Sequence, residues 1–111
     1  MNEIYAILTF TPNKLADPNG TSLAAHCDGI SMDEIADAFP EGRVVAYDEP
    51  EKGYSHPWEV KFTDENGDVY NIYERFGAAR IGTNEAPGRR ERSEQLARHL
   101  LATCVSRRNT R

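Results

Sequence analysis

Residues 57–82 read P-W-E-V-K-F-T-D-E-N-G-D-V-Y-N-I-Y-E-R-F-G-A-A-R-I-G. Two runs in which apolar and polar side chains alternate, Trp58–Phe62 and Val69–Tyr73, stand on either side of an Asn66-Gly67 turn signal. Strand-forming residues that alternate around such a turn are the pattern of a β-hairpin. This stretch therefore predicts the central hairpin of the fold.

The hairpin has two possible registers, which differ in the length of its turn. A two-residue turn would place apolar side chains opposite charged ones on both faces. A three-residue turn closed by a left-handed Gly67 would instead pair Phe62 with Tyr70 and Val60 with Ile72. We predict the second register, because it collects the apolar side chains on one face.

Shorter patterns around the hairpin predict the other elements. In chain order they are a strand at Glu3–Phe10, a helix that begins at a Ser31/Glu34 capping box and ends before Pro40, a strand at Arg43–Tyr47, a strand between Gly77 and Gly82, and a long helix at Arg89–Arg107. A chain of 111 residues is expected to form a single domain, here residues 1–111. The prediction is an α+β fold in which about four antiparallel strands, in the order β-α-β-β-β-α, carry a short and a long C-terminal helix on one face.

Two further expectations concern the helix and the long connection. An apolar stripe at helical spacing should bury the last helix against the sheet; its members are Leu96, Ala97, Leu100, Leu101, Cys104 and Val105. Residues 11–30 contain two prolines and two glycines, and they read as a long connection that could include one helical turn at Ser22–Cys27.

Charge is distributed unevenly along the chain. Residues 1–74 contain 15 acidic and 4 basic side chains, whereas residues 75–111 contain 3 acidic side chains and 9 arginines. Such asymmetry indicates a charged partner, or it is neutralised when folding brings the two parts together. The sequence alone leaves both interpretations open.

Motifs for catalysis and metal binding are weak. His26-Cys27 places a thiol beside an imidazole, but adjacent side chains usually diverge, and the spacing of the histidines and cysteines matches no zinc pattern. The sequence therefore predicts no catalytic residue, no metal and no cofactor. With two widely spaced cysteines, no export signal and no long apolar run, it predicts a protein of the cytoplasm that does not contact a membrane.

The first candidate binding surface is acidic. Carboxylates on the short helix and in the following loop, with nearby tyrosines as aromatic anchors, could dock on a basic protein surface: Asp33, Glu34, Asp37, Glu41, Tyr47, Asp48, Glu49, Glu51 and Tyr54. Trp58 could serve as a further anchor, although core packing is the favoured interpretation. With a pI of about 5.1, direct contact with nucleic acid is not expected.

The alternative candidate surface is basic. Five arginines could contact a nucleotide, another phosphate-bearing ligand or an acidic partner: Arg75, Arg80, Arg89, Arg90 and Arg92. In an enzyme of this kind, Glu74 or His56 would act as the base.

Residues Trp58–Glu74 also carry a resemblance. Their pattern, W-x-V-x-F-x-D-x-x-G-x-x-x-x-I-Y-E, resembles small proteins of phages and mobile elements, including anti-CRISPR proteins that block host defence by binding its machinery. The resemblance implies a small, acidic, non-catalytic inhibitor, and it transfers no functional residue, because such inhibitors share no site. The expected function is therefore inhibition of a nucleic-acid-handling complex by occupation of its basic surface.

Overall fold

A computed structural model describes residues 10–16, 22–45, 58–84 and 87–110. The elements are, in chain order, β1 (Thr11–Pro12), β2 (Ser22–His26), α1 (Met32–Ala38), a 3-10 helix (Pro40–Gly42), β3 (Arg43–Val45), β4 (Trp58–Thr63), β5 (Val69–Arg75), β6 (Ala78–Thr83) and α2 (Arg89–Asn109).

The described strands form one six-stranded sheet in which every pairing is antiparallel. The strand order is β1-β4-β5-β6-β2, and β3 pairs with β4 beside β1. The buried side chains of α1 and α2 join those of the sheet in a single core, so both helices cover the same face. The predicted α+β class is confirmed, and the sheet is larger than the four strands expected.

The register of the central hairpin is the predicted one. Phe62 lies opposite Tyr70, and Val60 lies opposite Ile72. Gly67 adopts the left-handed conformation with a φ of 81°, and its N–H donates to the carbonyl of Asp64 (3.0 Å). All four paired side chains are fully buried, which explains why the fold selects this register.

We expect Gly67→Ala to lower the free energy of unfolding by about 1 kcal/mol, because a Cβ is disfavoured at a positive φ. A Cβ at this position would contact no atom within 4 Å, so the whole effect would come from the backbone. Urea unfolding measures it. Gly67→Asn is the control, because asparagine tolerates this conformation; equal losses in both variants would contradict the explanation.

The capping box of α1 is also confirmed. The N–H of Glu34 donates to Ser31 Oγ, and the N–H of Ser31 donates to Glu34 Oε1, both at 3.1 Å. Two otherwise unpaired N–H groups of the first turn are thereby satisfied. The helix buries Met32 and Ile35 and ends at Ala38, with Phe39 as its C-cap before the proline.

The apolar stripe of α2 is narrower than predicted. Leu96, Leu100 and Cys104 are buried as expected, but Leu101 and Val105 are 38% and 37% exposed. The buried positions follow one another at intervals of four residues, whereas positions 101 and 105 lie about 100° further around the helix. That rotation turns them from the sheet toward solvent.

The remaining expectations have mixed outcomes. The long connection predicted at residues 11–30, with a helical turn at Ser22–Cys27, is wrong: Thr11–Pro12 pairs with β4, and Ser22–His26 is a strand that pairs with β6. The strand predicted at Arg43–Tyr47 is confirmed for Arg43–Val45, and its last two residues lie outside the described part, as do residues 3–9. Trp58 belongs to the core, as favoured.

Candidate functional site

Charged side chains converge where the β4–β5 hairpin meets the N-terminus of α2. The side chain of Asp64 is only 1% exposed. Its Oδ1 accepts hydrogen bonds from the N–H groups of Asn66 (2.9 Å) and Asp68 (3.0 Å), and its Oδ2 accepts one from the Tyr70 hydroxyl (2.8 Å). A buried carboxylate is thus satisfied by its own turn and by the facing strand.

Two arginines of α2 complete this hairpin–helix network. Arg89 pairs with Asp68, and Arg92 binds both carboxylate oxygens of Glu65 (2.6 and 2.7 Å). Their guanidinium nitrogens also lie 3.9 and 3.5 Å from Asp64 Oδ2. The network therefore fastens the start of α2 to the tip of the hairpin.

The network fixes the protonation of its members. Burial disfavours the charged form of Asp64, but hydrogen bonds from Tyr70 and from the turn, together with the charge of Arg92, lower the pKa of this carboxyl below its ordinary value. Burial and the neighbouring Asp64 carboxylate raise the pKa of Tyr70. Asp64 is therefore ionised and Tyr70 protonated around neutral pH, so this pair is suited to a structural role rather than to proton transfer.

A cleft of about 260 Å³ lies beside the network. It is lined by Asp64, Glu65, Asn66, Asp68, Pro87, Gly88, Arg89 and Arg92. Its two arginines both face carboxylates, so the cleft presents no excess positive charge to a phosphate. The predicted phosphate contacts Arg89 and Arg92 are thus engaged within the protein.

A second set of contacts, which we term the clasp, joins the last turn of α2 to the first turn of α1 and the residues before it. Arg108 in the last turn of α2 donates to Glu34 Oε1 (2.7 Å) and to the carbonyl of Gly29 (2.8 Å). The hydrogen bond from Arg108 lowers the pKa of Glu34 to about 2. Glu34 is therefore occupied twice, by its own capping box and by Arg108.

The ion pairs of the network and the clasp connect the acidic part of the chain to its arginine-rich part. Each ion pair of the network and the clasp joins a carboxylate from residues 1–74 to an arginine from residues 75–111. Folding thus neutralises part of the asymmetry, as one interpretation of the sequence expected. The charges that remain unpaired are the ones available to a partner.

The remaining described acidic candidates lie on α1 and on the 3-10 helix that follows it. Asp33 and Asp37 are exposed on the same side of α1, and Glu41 is exposed in the 3-10 helix. Within the described ranges, Asp37 and Glu41 form no ion pair. The other candidates, Tyr47, Asp48, Glu49, Glu51 and Tyr54, lie outside the described residues.

Two large apolar side chains near these elements in the fold are exposed. Leu15 is 87% exposed in the loop after β1, and Val45 is 75% exposed at the end of β3. The loop after β1 and the 3-10 helix meet at the Lys61 carbonyl: the Asn13 N–H donates to this oxygen (2.8 Å), and a Cβ on Gly42 would approach it to 2.6 Å. We term Asp33, Asp37, Glu41, Leu15 and Val45 the acidic edge.

The other three arginines of the basic candidate surface lie elsewhere. The Arg75 guanidinium stacks on the Phe76 ring at 4.9 Å, Arg80 Nε donates to the Arg75 carbonyl (3.2 Å), and Arg90 is exposed. Of the two bases considered for an enzyme, Glu74 is half-buried and His56 lies outside the described residues. The structure therefore divides the five predicted arginines into an engaged pair and a separate group.

The thiol beside the imidazole is not arranged for nucleophilic chemistry. Cys27 is buried, and burial raises its pKa to about 12, so the thiol is protonated around neutral pH. Cys104 is buried as well, as predicted for a small core residue. Among the residues that the structure describes, no three metal-binding side chains are grouped so as to hold an ion.

Sequence reasoning missed the hairpin–helix network. Its only local signal is Asp64, which stands at the first position of the D-E-N-G turn, where aspartate commonly accepts a hydrogen bond from the N–H two residues later. The arginines that complete the network follow 25 and 28 residues later, and nothing in their spacing predicts this contact.

In the described part of the chain, no helix combines the length and the apolar content that crossing a membrane requires. Searches against protein-family models, curated proteins and solved structures found no match to the chain.

Proposed function

We propose that this protein is a non-catalytic inhibitor or adaptor that docks its acidic edge on a basic protein surface. The observation that carries the proposal is the selectivity of the internal ion pairs. They occupy Arg89, Arg92 and Arg108, but leave the carboxylates of Asp37 and Glu41 exposed. The acidic edge therefore keeps negative charge that the fold itself does not use.

The composition of the acidic edge suits protein recognition. Exposed carboxylates steer the encounter with a basic surface, while apolar side chains buried on contact hold the complex. Leu15 and Val45 supply exposed apolar area: Leu15 lies in the loop that meets the 3-10 helix at the Lys61 carbonyl, and Val45 ends the strand that follows this helix. Proteins that grip nucleic acid display rows of lysine and arginine, so a nucleic-acid-handling complex is the partner class that fits. The resemblance of the hairpin to phage-encoded inhibitors favours the same class.

The test compares two double charge reversals with the parent protein. Asp37→Lys with Glu41→Lys alters the acidic edge, whereas Glu91→Lys with Glu94→Lys makes the same change in charge at exposed positions of α2. Each protein is immobilised and exposed to a bacterial lysate, and retained proteins are quantified by mass spectrometry. We expect the parent and the α2 variant to retain equal amounts of a basic protein. The acidic-edge variant should retain at least about tenfold less of that protein.

Salt provides an independent readout. Contacts between exposed charges are screened over about 8 to 10 Å at physiological ionic strength, so retention should fall as salt increases. Thermal unfolding of both variants should stay close to that of the parent, since exposed carboxylates contribute little stability. Equal retention by the parent and the acidic-edge variant would refute the proposal.

A further inference from the structure

The turn between β5 and β6 places an aromatic residue where the backbone disfavours it. Arg75 pairs with Ala78, so the turn contains only two residues, Phe76 and Gly77, with φ values of 53° and 78°. Two positive φ values are those of a type I′ turn, which favours asparagine followed by glycine. In the described part of the chain, Phe76 is the only non-glycine residue with a positive φ. A bulky side chain in this conformation is an outlier.

Core packing does not explain why a phenylalanine occupies this turn position. Its side chain is 70% exposed, and it lies at the tip of the hairpin rather than over the sheet. Its ring contacts the guanidinium of Arg75, 4.9 Å away. Strained residues concentrate at binding sites and switch regions, so an exposed aromatic ring on such a residue is a candidate contact for a ligand.

Positive side chains continue from this tip across the edge of the sheet. Arg80 lies opposite His26 in the pairing of β6 with β2. His26 and Arg90 line the same groove of about 190 Å³, whose other lining residues are Leu23, Ala24 and Ala25. None of these lining residues is acidic. We term Arg75, Phe76, Arg80, His26 and Arg90 the basic strip.

We propose that the basic strip binds single-stranded nucleic acid. An unpaired base can stack on the exposed ring of Phe76, and the backbone phosphates can contact Arg80 and Arg90. An exposed aromatic ring flanked by arginine fits a base and its phosphate together, whereas an acidic peptide would use only the charges. The pI of about 5.1 argued against contact with nucleic acid, but a pI averages over all charges of the protein. In the fold, ion pairs and position separate the acidic groups from the arginines of the basic strip. It is independent of the acidic edge.

The experiment measures fluorescence anisotropy of a labelled oligothymidylate of about 15 nucleotides in about 50 mM salt. Phe76→Asn should weaken binding about tenfold or more, while its melting temperature rises because Asn-Gly suits the turn. Phe76→Trp should retain binding, because tryptophan also stacks on bases. A variant that is more stable but binds less separates a contact role from a structural one.

A second pair of variants tests the phosphate contacts. Arg90→Gln should weaken binding uniformly across sequences and lower the slope of affinity against salt by about one ion. Arg107→Gln removes the same charge from an exposed position at the other end of α2, and it should leave binding unchanged.

Three outcomes would overturn the proposal. The parent could fail to change the anisotropy at any protein concentration reached in low salt. Phe76→Asn could bind the oligonucleotide as tightly as the parent. Polyglutamate could displace the oligonucleotide as well as unlabelled oligothymidylate does, which would assign the basic strip to acidic protein surfaces instead.

Discussion

Replacing Asp64 with alanine should destabilise the protein by about 3 to 5 kcal/mol, the range found when one partner of a buried ion pair is removed. The change deletes the acceptor for two backbone N–H groups and for the Tyr70 hydroxyl, and it leaves Arg92 and Arg89 without their shared carboxylate. Buried donors that lose their partner incur the full desolvation penalty. Chemical denaturation followed by circular dichroism measures the loss.

Two control variants test whether the loss of stability comes from the buried Asp64 carboxylate. Asp64→Asn keeps one oxygen that can accept the N–H bonds of the turn, so its loss should be smaller than that of alanine. Glu65→Ala removes the exposed partner of Arg92 and should lower stability by no more than about 1 kcal/mol. A loss below 1 kcal/mol for Asp64→Ala would show that the hairpin–helix network does not hold α2 in place.

The Asp64 carboxylate also predicts how stability depends on pH. Its folded pKa lies below the unfolded value of about 3.9, so the unfolded state binds the proton more readily. The contribution is therefore complete above the unfolded pKa and is lost as the pH falls through the folded pKa. Asp64→Asn lacks this term, and the difference in stability between the parent and Asp64→Asn should shrink below about pH 4.

Leu100→Ala should lower the free energy of unfolding by about 2 to 5 kcal/mol, the range for a large-to-small change in a packed core. Leu100 is fully buried in the core that α2 shares with the sheet. Thermal and urea unfolding provide the measurement. The neighbouring Leu101 is the matched control, because the same substitution removes a side chain that is 38% exposed.

Comparing these two leucines tests whether α2 is buried on one face only. Leu101→Ala should have an effect below about 1.5 kcal/mol, since much of its surface is already in water. Similar losses at both positions would mean that α2 is buried on a broader face than the structure shows. A folded, cooperative domain after truncation at Gly88 would mean that α2 is not part of the core at all.

The parts of the fold predicted correctly are those whose signals are local. The hairpin register follows from side chains within nine residues of Gly67, and the helix start follows from Ser31 and Glu34. In both cases one turn of backbone contains the donor, the acceptor and the apolar neighbours that select the conformation. Packing elsewhere in the protein does not override them.

The parts that were missed depend on partners distant in the chain. Ser22–His26 is short and rich in alanine, and it becomes a strand because β6 offers a free edge. The engagement of Arg89 and Arg92 depends on carboxylates of the hairpin, and the strain at Phe76 depends on the exact length of a turn. Charge and hydropathy patterns along the sequence do not show which distant residues come into contact.

The sheet order constrains how the chain can assemble as it is made. Strands β4, β5 and β6 are neighbours both in sequence and in the sheet, so each can pair as soon as the next has been synthesised. Strand β2 is different, because His26 pairs with Arg80, 54 residues later. A ribosome therefore releases β2 long before its partner exists, and the edge that carries His26 cannot form until β6, the last described strand, has been made.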